Sequence, residues 1–469
     1  MNTRELVLDM LLTLDREGDY SHRLVRSVLD KYDYLEARDK AFIKRLAEGT
    51  LERQLELDYY LDCYSSLPVR KMKPLIRCLL RMSVYQLLYM DSVPDSAVCN
   101  EACRLAAKRG FGTLKGFVNG VLRKISRQKD ALPMPDKGEK PVSFLSVQYS
   151  MPEWLVEMWM DEYGTDMTET LLQGLLAVHP VSLRFSTLIS DEEREAICRE
   201  LCETGMEMKQ SAYLPCVYLT KGYTENPASL PAFVRGKCIV QDVSSALAVE
   251  AAGVKEGDFV VDVCAAPGGK SILAAEKAGS GRVLARDISE EKRGITEENI
   301  SRMRAGNIEV QVFDGTRTDE ALLGKADVVL LDVPCSGLGV MGKKRDIKYR
   351  VTKESLGEIE KLQRRIVAAS AGYVRKGGTL LYSTCTIRRE ENEDMVRFIA
   401  RELGLEPVPL AGVLPEAVLA EKKHLEGKMR EAGKEPGAGL TEEEADACIQ
   451  LLPGYMKADG FFIARFRRR

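Results

Sequence analysis

Through the first 130 residues apolar side chains recur at intervals of three and four, as in LVLDMLLTL, AFIKRLAEGTLERQL and LIRCLLRMSVYQLLYM, with charged residues filling the gaps. That spacing gathers the apolar positions on one face of an α-helix, so residues 1–130 are predicted to be helix after helix with no strand between. The pattern stops at ALPMPDKGEKP (131–141), where Pro133, Pro135 and Pro141 cannot continue a helix, and this stretch reads as a linker. Residues 142–235 mix a helical piece, YSMPEWLVEMWMDEYG, with strand-like pieces, VSLRFST and CVYLT, which predicts a small α+β module.

From residue 236 the period changes. Short apolar runs alternate with helical ones, and the expected strands are FVVDV (259–263), RVLARDI (282–288), IEVQVFD (308–314), DVVLLDV (327–333), GTLLYST (378–384) and GFFIARF (460–466). Between them lie SEEKRGITEENISRMRA and ESLGEIEKLQRRIVAASAGYV, the rhythm of a doubly wound parallel sheet over residues 236–469. The charged, strand-poor stretch 416–446 reads as an excursion of mobile helix or loop. The expected architecture is therefore multidomain: an all-α N-terminal domain, a small α+β module and an α/β Rossmann-like domain.

Composition narrows the class. A chain of 469 residues has room for about three domains at roughly 100–200 residues each. No run approaches the roughly 20 apolar residues of a membrane span, and the start, MNTRELVLDMLLTLDREGDY, has acids inside its apolar run and no cleavage-site pattern. A cytoplasmic monomer with no membrane partner is the expectation. The 12 cysteines never occur as CxxC, and only His22, His179 and His424 could join them, so no metal site is expected. Cys99 with Cys103 and Cys198 with Cys202 fall one turn apart on predicted helices and read as small buried apolar residues, free thiols in a reducing compartment.

Charge is segregated. The net charge is −3, yet Arg104 to Lys129 carries eight Lys or Arg and no acid. Such a segment is an electrostatic footprint for a polyanion, the alternative being a solvated helix face.

The chemistry concentrates further on. A strand ending in Asp262 runs into Cys264-Ala265-Ala266-Pro267-Gly268-Gly269-Lys270, with a helix starting near Ser271. Small residues let the backbone approach a ligand, and the helix N-terminus offers free amides to it. Asp287 ends the second strand, where such folds hold ribose hydroxyls, and Asp314 ends the third, within reach of an adenine amino group. The spacing is neither G-x-G-x-x-G nor a Walker loop, so an adenosyl ligand is expected rather than a dinucleotide or a nucleotide triphosphate. Caps alone would be the alternative reading of these turn glycines and acids.

Asp332, Cys335 and Cys385 fall at the C-terminal ends of successive predicted strands, the edge at which open α/β sheets place their sites, and are expected to converge. A thiolate is the side chain best able to add to an electron-poor ring. Each of the two cysteines lies one step beyond its strand in a turn of Ser, Thr, Gly and Pro. Cys264 reads equally as an inert strand-end thiol.

The set DVCAAPGGKS, DVPCSGLG and YSTCT, with EEN at 390–392 and DGFF at 459–462, resembles the RNA cytosine-5 methyltransferases that use S-adenosylmethionine, over roughly residues 236–469. Upstream, ARDKAFIKRLAEGTL, VYQLLYMDSVPDSAVCNEA and KGFVNGVLRKI resemble the NusB-like RNA-binding domain. With a middle piece carrying YSMPEWLV and VQDVSS, the chain resembles the bacterial 16S rRNA small-subunit methyltransferase B family. The resemblance implies S-adenosylmethionine as cofactor, held by residues 264–270, Asp287, Asp314 and Asp332, and small-subunit rRNA as partner.

It also implies a reaction: a thiolate adds to carbon 6 of cytosine, carbon 5 takes the methyl group, and proton loss with elimination restores the ring. Cys385 is implied as nucleophile, Cys335 as the releasing thiol and Asp332 as the group that bonds the base. On the residues alone the two thiols could be exchanged. Lys270 is expected either to position Asp332 or the ligand, or to form a structural salt bridge. Basic residues in KKRDIKYR (343–350) are expected to hold RNA backbone, and Arg467, Arg468 and Arg469 either to add to that track or, the favoured reading, to form a frayed tail. Val333, Ser186 and Arg345 depart from the family pattern. The same chemistry on tRNA or another rRNA, and a non-catalytic RNA-binding protein, are the alternatives.

Overall fold

The computed structural model describes residues 2–17, 21–177, 180–222 and 227–469. The chain divides into two units, residues 1–169 with 343–350 and residues 170–342 with 351–469.

The first unit is helical. Its central helix, Pro74–Tyr89, is apolar on nearly every side and is buried almost throughout from Ile76 to Leu87, as a helix without a polar face must be. Thr3–Glu17, Ala37–Glu52, Gln54–Tyr64, Asp95–Lys108 and Lys115–Gln128 pack with it into one core. Gly49 is what lets Ala37–Glu52 approach, since a Cβ there would lie 2.1 Å from the Tyr85 ring. Arg81, buried in this core, is neutralised by Asp58 at 2.6 Å.

Residues 343–350 complete this unit, and here the expectation that KKRDIKYR holds RNA is corrected for Arg345 and Lys348. Arg345 pairs with Glu48 at 2.6 Å and Glu52 at 2.8 Å. Lys348 is buried and donates to the Glu52 carbonyl at 2.7 Å, and the Tyr349 hydroxyl donates to the Leu51 carbonyl at 2.8 Å. These donors satisfy carbonyls that the end of helix Ala37–Glu52 leaves open, and a cation there suits the helix dipole. Arg345 and Lys348 are thus spent on the protein itself.

The second unit holds two sheets. Strands β1 (Val181–Phe185), β2 (Glu207–Gln210), β3 (Val217–Lys221) and β4 (Cys238–Val240) form an antiparallel sheet in the order β2-β3-β1-β4, with Ile197 and Leu201 of helix Asp191–Glu203 in its core. The larger sheet contains β5 (Phe259–Asp262), β6 (Arg282–Asp287), β7 (Ile308–Val312), β8 (Ala326–Asp332), β9 (Val374–Thr384), β10 (Glu406–Pro407), β11 (Cys448–Leu451) and β12 (Phe461–Arg467). Its order is β10-β12-β9-β8-β5-β6-β7, with β11 paired to β12. Strands β5 to β9 are parallel and β12 runs antiparallel to β9.

Alternate residues feed two cores. Val260, Val328, Leu330 and Leu381 join Val243–Ala252 and Gly269–Ala278 on one face, while Val261, Val329, Leu331 and Tyr382 join Ile366, Val396 and Ile399 on the other. Burial on both faces explains why these strands read as continuous apolar runs. The chain goes outward from β5 through β6 to β7, then returns to β8 beside β5, which puts the topological switch point between β5 and β8.

Two further expectations change. Residues 416–446 are not a loose excursion: helix Glu416–Glu431 buries Val418 and Leu425, and Glu442–Asp446 starts with a Thr441–Glu444 capping box. Two of the three C-terminal arginines are not frayed either, since Arg467 belongs to β12 and Arg468 donates to the carbonyls of Gly372 and Val374, both at 2.8 Å. Cys99 is buried but Cys202 is exposed. His179 and the side chain of His22 lie outside the described residues, and no cluster among the described residues could hold a metal ion. No helix among them is long and apolar enough to cross a membrane.

Candidate active site

The turn after β5 is shaped by its small residues. The Ala265 amide donates to the Arg286 carbonyl at 2.8 Å, the Ala266–Pro267 bond is cis, and Gly268, at φ +100°, donates to the Ala265 carbonyl at 2.7 Å before helix Gly269–Ala278 begins. That φ favours glycine. A Cβ on Gly269 would stand 3.3 Å from the Gln241 side chain, so the backbone there is closely supported from behind. The first amides of the helix are open to a ligand.

Acids surround this turn. Asp262 is fully buried, accepts from Ser271 Oγ at 2.6 Å through Oδ2, and has no hydrogen-bond partner at Oδ1. Burial pushes its carboxyl up to about 6 against the opposing pull of Ser271 and Lys270. Asp287 accepts from the Ala266 amide at 3.1 Å and from Lys292 Nζ at 2.9 Å, closing the turn onto β6. Asp314, two residues past β7, accepts from the Thr316 amide at 2.9 Å and its hydroxyl at 2.7 Å, and these bonds hold its carboxyl below the usual range. The Cys264 thiol is pushed far up by burial and by Asp262, Asp287 and Asp332, which keeps it protonated. Ile288, which sequence reasoning passed over, is 62% exposed beside Asp287 and offers apolar surface there.

Strands β8 and β9 deliver the rest. Asp332 pairs in register with Ser383, whose hydroxyl donates to Oδ1 at 2.8 Å, while Lys270 Nζ donates to Oδ2 at 2.6 Å. Burial works against the Lys270 ammonium, but the charge and hydrogen bond of Asp332 outweigh it and raise its pKa. The same ammonium lies 5.5 Å from the Phe461 ring centroid.

Beyond these strands the two cysteine turns face one another residue for residue. Cys335 Sγ is 3.0 Å from Cys385 Sγ, Ser336 Oγ is 2.8 Å from Thr386 Oγ1, the Cys385 amide donates to Cys335 Sγ at 3.3 Å, and the Gly339 amide donates to the Cys385 carbonyl at 3.1 Å. The Cys335 thiol is pushed well up by its hydrogen bond with Cys385, then by burial and by the charges of Cys385, Glu391 and Asp332. The structure thus brings Cys335 against Cys385 and ties Asp332 to Lys270 on the adjoining strand end.

The supports of this arrangement carried motif signatures without roles in the sequence. Glu391 of EEN is fully buried and accepts from the Ser336 amide and from Gln363 Nε2, both at 2.9 Å, while Gln363 Nε2 also donates to the Pro334 carbonyl at 2.9 Å. Burial raises the Glu391 carboxyl. Asn392 donates to the Thr386 carbonyl at 3.1 Å and accepts from Thr384 Oγ1 at 2.6 Å, so it spans the Cys385 turn. Gly460 of DGFF donates to the Gly339 carbonyl at 3.0 Å. Arg184 Nε donates to Gln241 Oε1 at 2.6 Å and Arg184 Nη1 pairs with Glu276 of helix Gly269–Ala278 at 2.8 Å, which fixes the small sheet to the helix that opens at the cofactor turn.

Half of the basic segment in the first unit is neutralised: Arg104, Lys108, Arg109 and Lys129 pair with Glu101, Glu5, Asp9 and Asp95. Lys115, Arg123, Lys124 and Arg127 are exposed on helix Lys115–Gln128 and make no ion pair among the described residues.

Known proteins share this organisation. Residues 250–467 match the family described as 16S rRNA methyltransferase RsmB/F, residues 1–127 the NusB family, and residues 151–224 the RsmF/B-like ferredoxin-like domain. A probable ribosomal RNA small subunit methyltransferase B of Bacillus subtilis is 33% identical over 472 residues, spanning 100% of this chain and 99% of the relative. The crystal structure of PH0851 superposes with a TM-score of 0.77 at 26% identity, covering 100% of this chain and 99% of that one. A methyltransferase homolog protein from Pyrococcus horikoshii, 24% identical with a TM-score of 0.58 over 70% of this chain and 99% of its own, shares the fold.

Proposed function

Because the chain belongs to the 16S rRNA methyltransferase RsmB/F family, and is thereby an S-adenosylmethionine-dependent rRNA methyltransferase, we propose that it methylates carbon 5 of a cytosine in small-subunit rRNA through a covalent cysteine adduct. The observation that carries this reading is the pair of thiols 3.0 Å apart at the carboxyl edge of β8 and β9, next to the turn at the switch point.

That turn fits the cofactor. Gly268, at φ +100°, allows the tight turn that presents the helix amides, which suit its carboxylate, Asp287 and Asp314 suit its ribose and adenine, and Ile288 suits an aromatic face. When bound there, S-adenosylmethionine supplies an electrophilic methyl group on a sulfonium.

Carbon 5 of cytosine is a poor nucleophile until the ring is converted to an enamine. Cys385, as thiolate, adds to carbon 6, and Asp332 bonds the amino edge and ring nitrogen, stabilising the charge that develops. Lys270 holds Asp332 in place through its hydrogen bond at 2.6 Å. After carbon 5 has been methylated, its proton leaves, and the bond to Cys385 breaks with its electron pair returning to sulfur. Cys335 serves this release. The target base must leave its stack to reach the edge of the sheet, and Lys115, Arg123, Lys124 and Arg127 supply charge for the RNA backbone.

Labelled methyl transfer to total RNA, followed by mapping of 5-methylcytosine, tests reaction and substrate together. Label in tRNA or large-subunit rRNA alone would overturn the substrate. Cys385→Ala should abolish transfer, and Cys335→Ala should accumulate protein joined to RNA on a denaturing gel. The opposite pattern would exchange the roles of the thiols.

A further inference from the structure

We propose that Glu391 is a positioning residue that keeps the proton on Cys335 until Cys385 has bonded to the base, and so decides which thiol attacks. The inference rests on the covalent reading above and adds to it the group that orders the two sulfurs.

The loop bearing Cys335 is gripped on both sides of that residue. Gln363 Nε2 donates to the carbonyl before it and to Glu391, and Glu391 accepts from the amide after it, each at 2.9 Å. Glu391 is 0% exposed, and its Oε1 and Gln363 Oε1 have no hydrogen-bond partner. The cation facing that oxygen, Arg388, stands 4.0 Å away and is also shared with Glu360 and with Glu390 at 3.0 Å. The carboxyl is therefore poorly neutralised and its pKa raised by burial, and when ionised its field reaches Cys335.

The titratable groups facing Cys335 are Cys385, Glu391, Asp332 and Tyr382, whose hydroxyl donates to the Glu391 carbonyl at 2.6 Å. Cys385 interacts with the ammonium of Lys270. A carboxylate disfavours a neighbouring thiolate and an ammonium favours one. Two sulfurs 3.0 Å apart titrate as a coupled pair, and this charge pattern puts their first negative charge on Cys385.

The cycle then closes. At the start Cys335 is a thiol donating to the Cys385 thiolate. The Cys385 electron pair forms the bond to carbon 6, and its sulfur becomes a neutral thioether. With that charge gone, Cys335 can lose its proton to water, and its thiolate takes the proton from methylated carbon 5. The carbon–hydrogen pair becomes the carbon 5–carbon 6 double bond, and the carbon–sulfur pair returns to Cys385. Cys335 is again the thiol and Cys385 the thiolate, with one proton released to solvent.

The test is Glu391→Gln in the full chain. The amide oxygen can still accept from Ser336, so the loop is kept while the charge is lost. Alkylation of Cys335 by iodoacetamide, followed against pH by peptide mass spectrometry, should have a midpoint about one pH unit lower in Cys385→Ala/Glu391→Gln than in Cys385→Ala. Glu391→Gln alone should lower kcat at least about tenfold with KM for RNA and for S-adenosylmethionine held within about twofold. An unmoved Cys335 midpoint, or a loss confined to KM, would overturn the role of Glu391. Turnover by Cys385→Ala would instead overturn the covalent reading itself. Should Glu391→Gln not fold, Cys385→Ala/Glu391→Met removes the same charge with a side chain of similar length and must lower the same midpoint; no shift there overturns the proposal equally.

Discussion

Arg184 offers a sharp test of how the small sheet supports the cofactor turn. Its side chain is 0% exposed and that of Glu276 is 4% exposed, with 2.8 Å between Nη1 and Oε2. Glu276 keeps two other donors, the Thr187 amide at 3.0 Å and hydroxyl at 2.9 Å, and Arg184 keeps Gln241 at 2.6 Å. Removing one partner of a buried ion pair typically costs about 3–5 kcal/mol, because the other charge is left in a medium that solvates it poorly. The Thr187 donors persist in Arg184→Met, so the expected loss is at the lower end, about 3 kcal/mol. Arg184→Met/Glu276→Met removes both charges and should recover a large part of it, with a coupling energy of about 2 kcal/mol in the double-mutant cycle. Both tryptophans, Trp154 and Trp159, lie in the first unit, so fluorescence does not report this change. Hydrogen exchange at the amides of β1 and β4 does. The same variant frees Gln241 behind Gly269 and should raise KM for S-adenosylmethionine. A cost under about 1 kcal/mol, the size of an exposed pair, would refute the reasoning.

Gly339→Ala would place a Cβ 2.1 Å from the Gly460 carbonyl oxygen, which belongs to backbone and cannot swing aside. The expected result is a loss of about 1–3 kcal/mol in chemical denaturation with a fall in methyl transfer, and a variant with both at wild-type level would contradict it. Replacing Lys115, Arg123, Lys124 and Arg127 together by Ala should lessen the slope of log binding constant against log salt by about 0.7 for each phosphate no longer neutralised, read by RNA titration at several salt concentrations; an unchanged slope removes this helix from the RNA surface. Lys348 is pulled down to about 7 by burial, against about 10.4 when unfolded. Between those values the unfolded state binds the extra proton, so the Lys348 contribution makes the first unit gain stability as pH rises through this window, and its cost is fully present below about 7. Relative to wild type, Lys348→Met should therefore be most favourable near pH 6.5 and lose that advantage by about pH 10, and a pH-independent difference in denaturation midpoints would exclude this burial.

What the chain disclosed beforehand follows from which physical signals are local. Strands β5, β6, β8, β9 and β12 were readable because each is buried on both faces and therefore shows as an apolar run between helical patterns, whereas β7, a partly exposed edge strand, was readable from the alternation in IEVQV. Four strands were not. β10 has two residues and β4 three, too few to show a period; β2, EMKQ, is mostly exposed; and β11, CIQL, follows directly on an acidic helix. Helix Glu416–Glu431 looked loose because its burial rests on Val418 and Leu425, seven positions apart, with charge between them. The basic run 343–350 misled for a related reason: nothing in its own residues announces that its partners are Glu48, Glu52 and the carbonyls of Leu51 and Glu52, nearly 300 positions away.

The thiols were legible for the opposite reason. An apolar strand that ends in Asp-Val-Pro-Cys-Ser-Gly or Ser-Thr-Cys-Thr presents a polar, tightly turning tip, and topology carries both tips to one edge. Their chemical difference was not legible, because it resides in charges that the fold brings from elsewhere. Lys270 comes from the cofactor turn and acts on Cys385, whereas Glu391 comes from the turn after β9 and acts back on Cys335. A buried carboxylate leaves no periodic trace in a sequence, and EEN entered there only as part of the family pattern, with no role attached. Under the proposal above, two cysteines of one residue type, in matching turns 3.0 Å apart, acquire different protonation preferences from their surroundings. The same proposal predicts that exchanging the roles of the thiols by mutating the sulfurs alone fails, because the cation and the carboxylate would stay where they are.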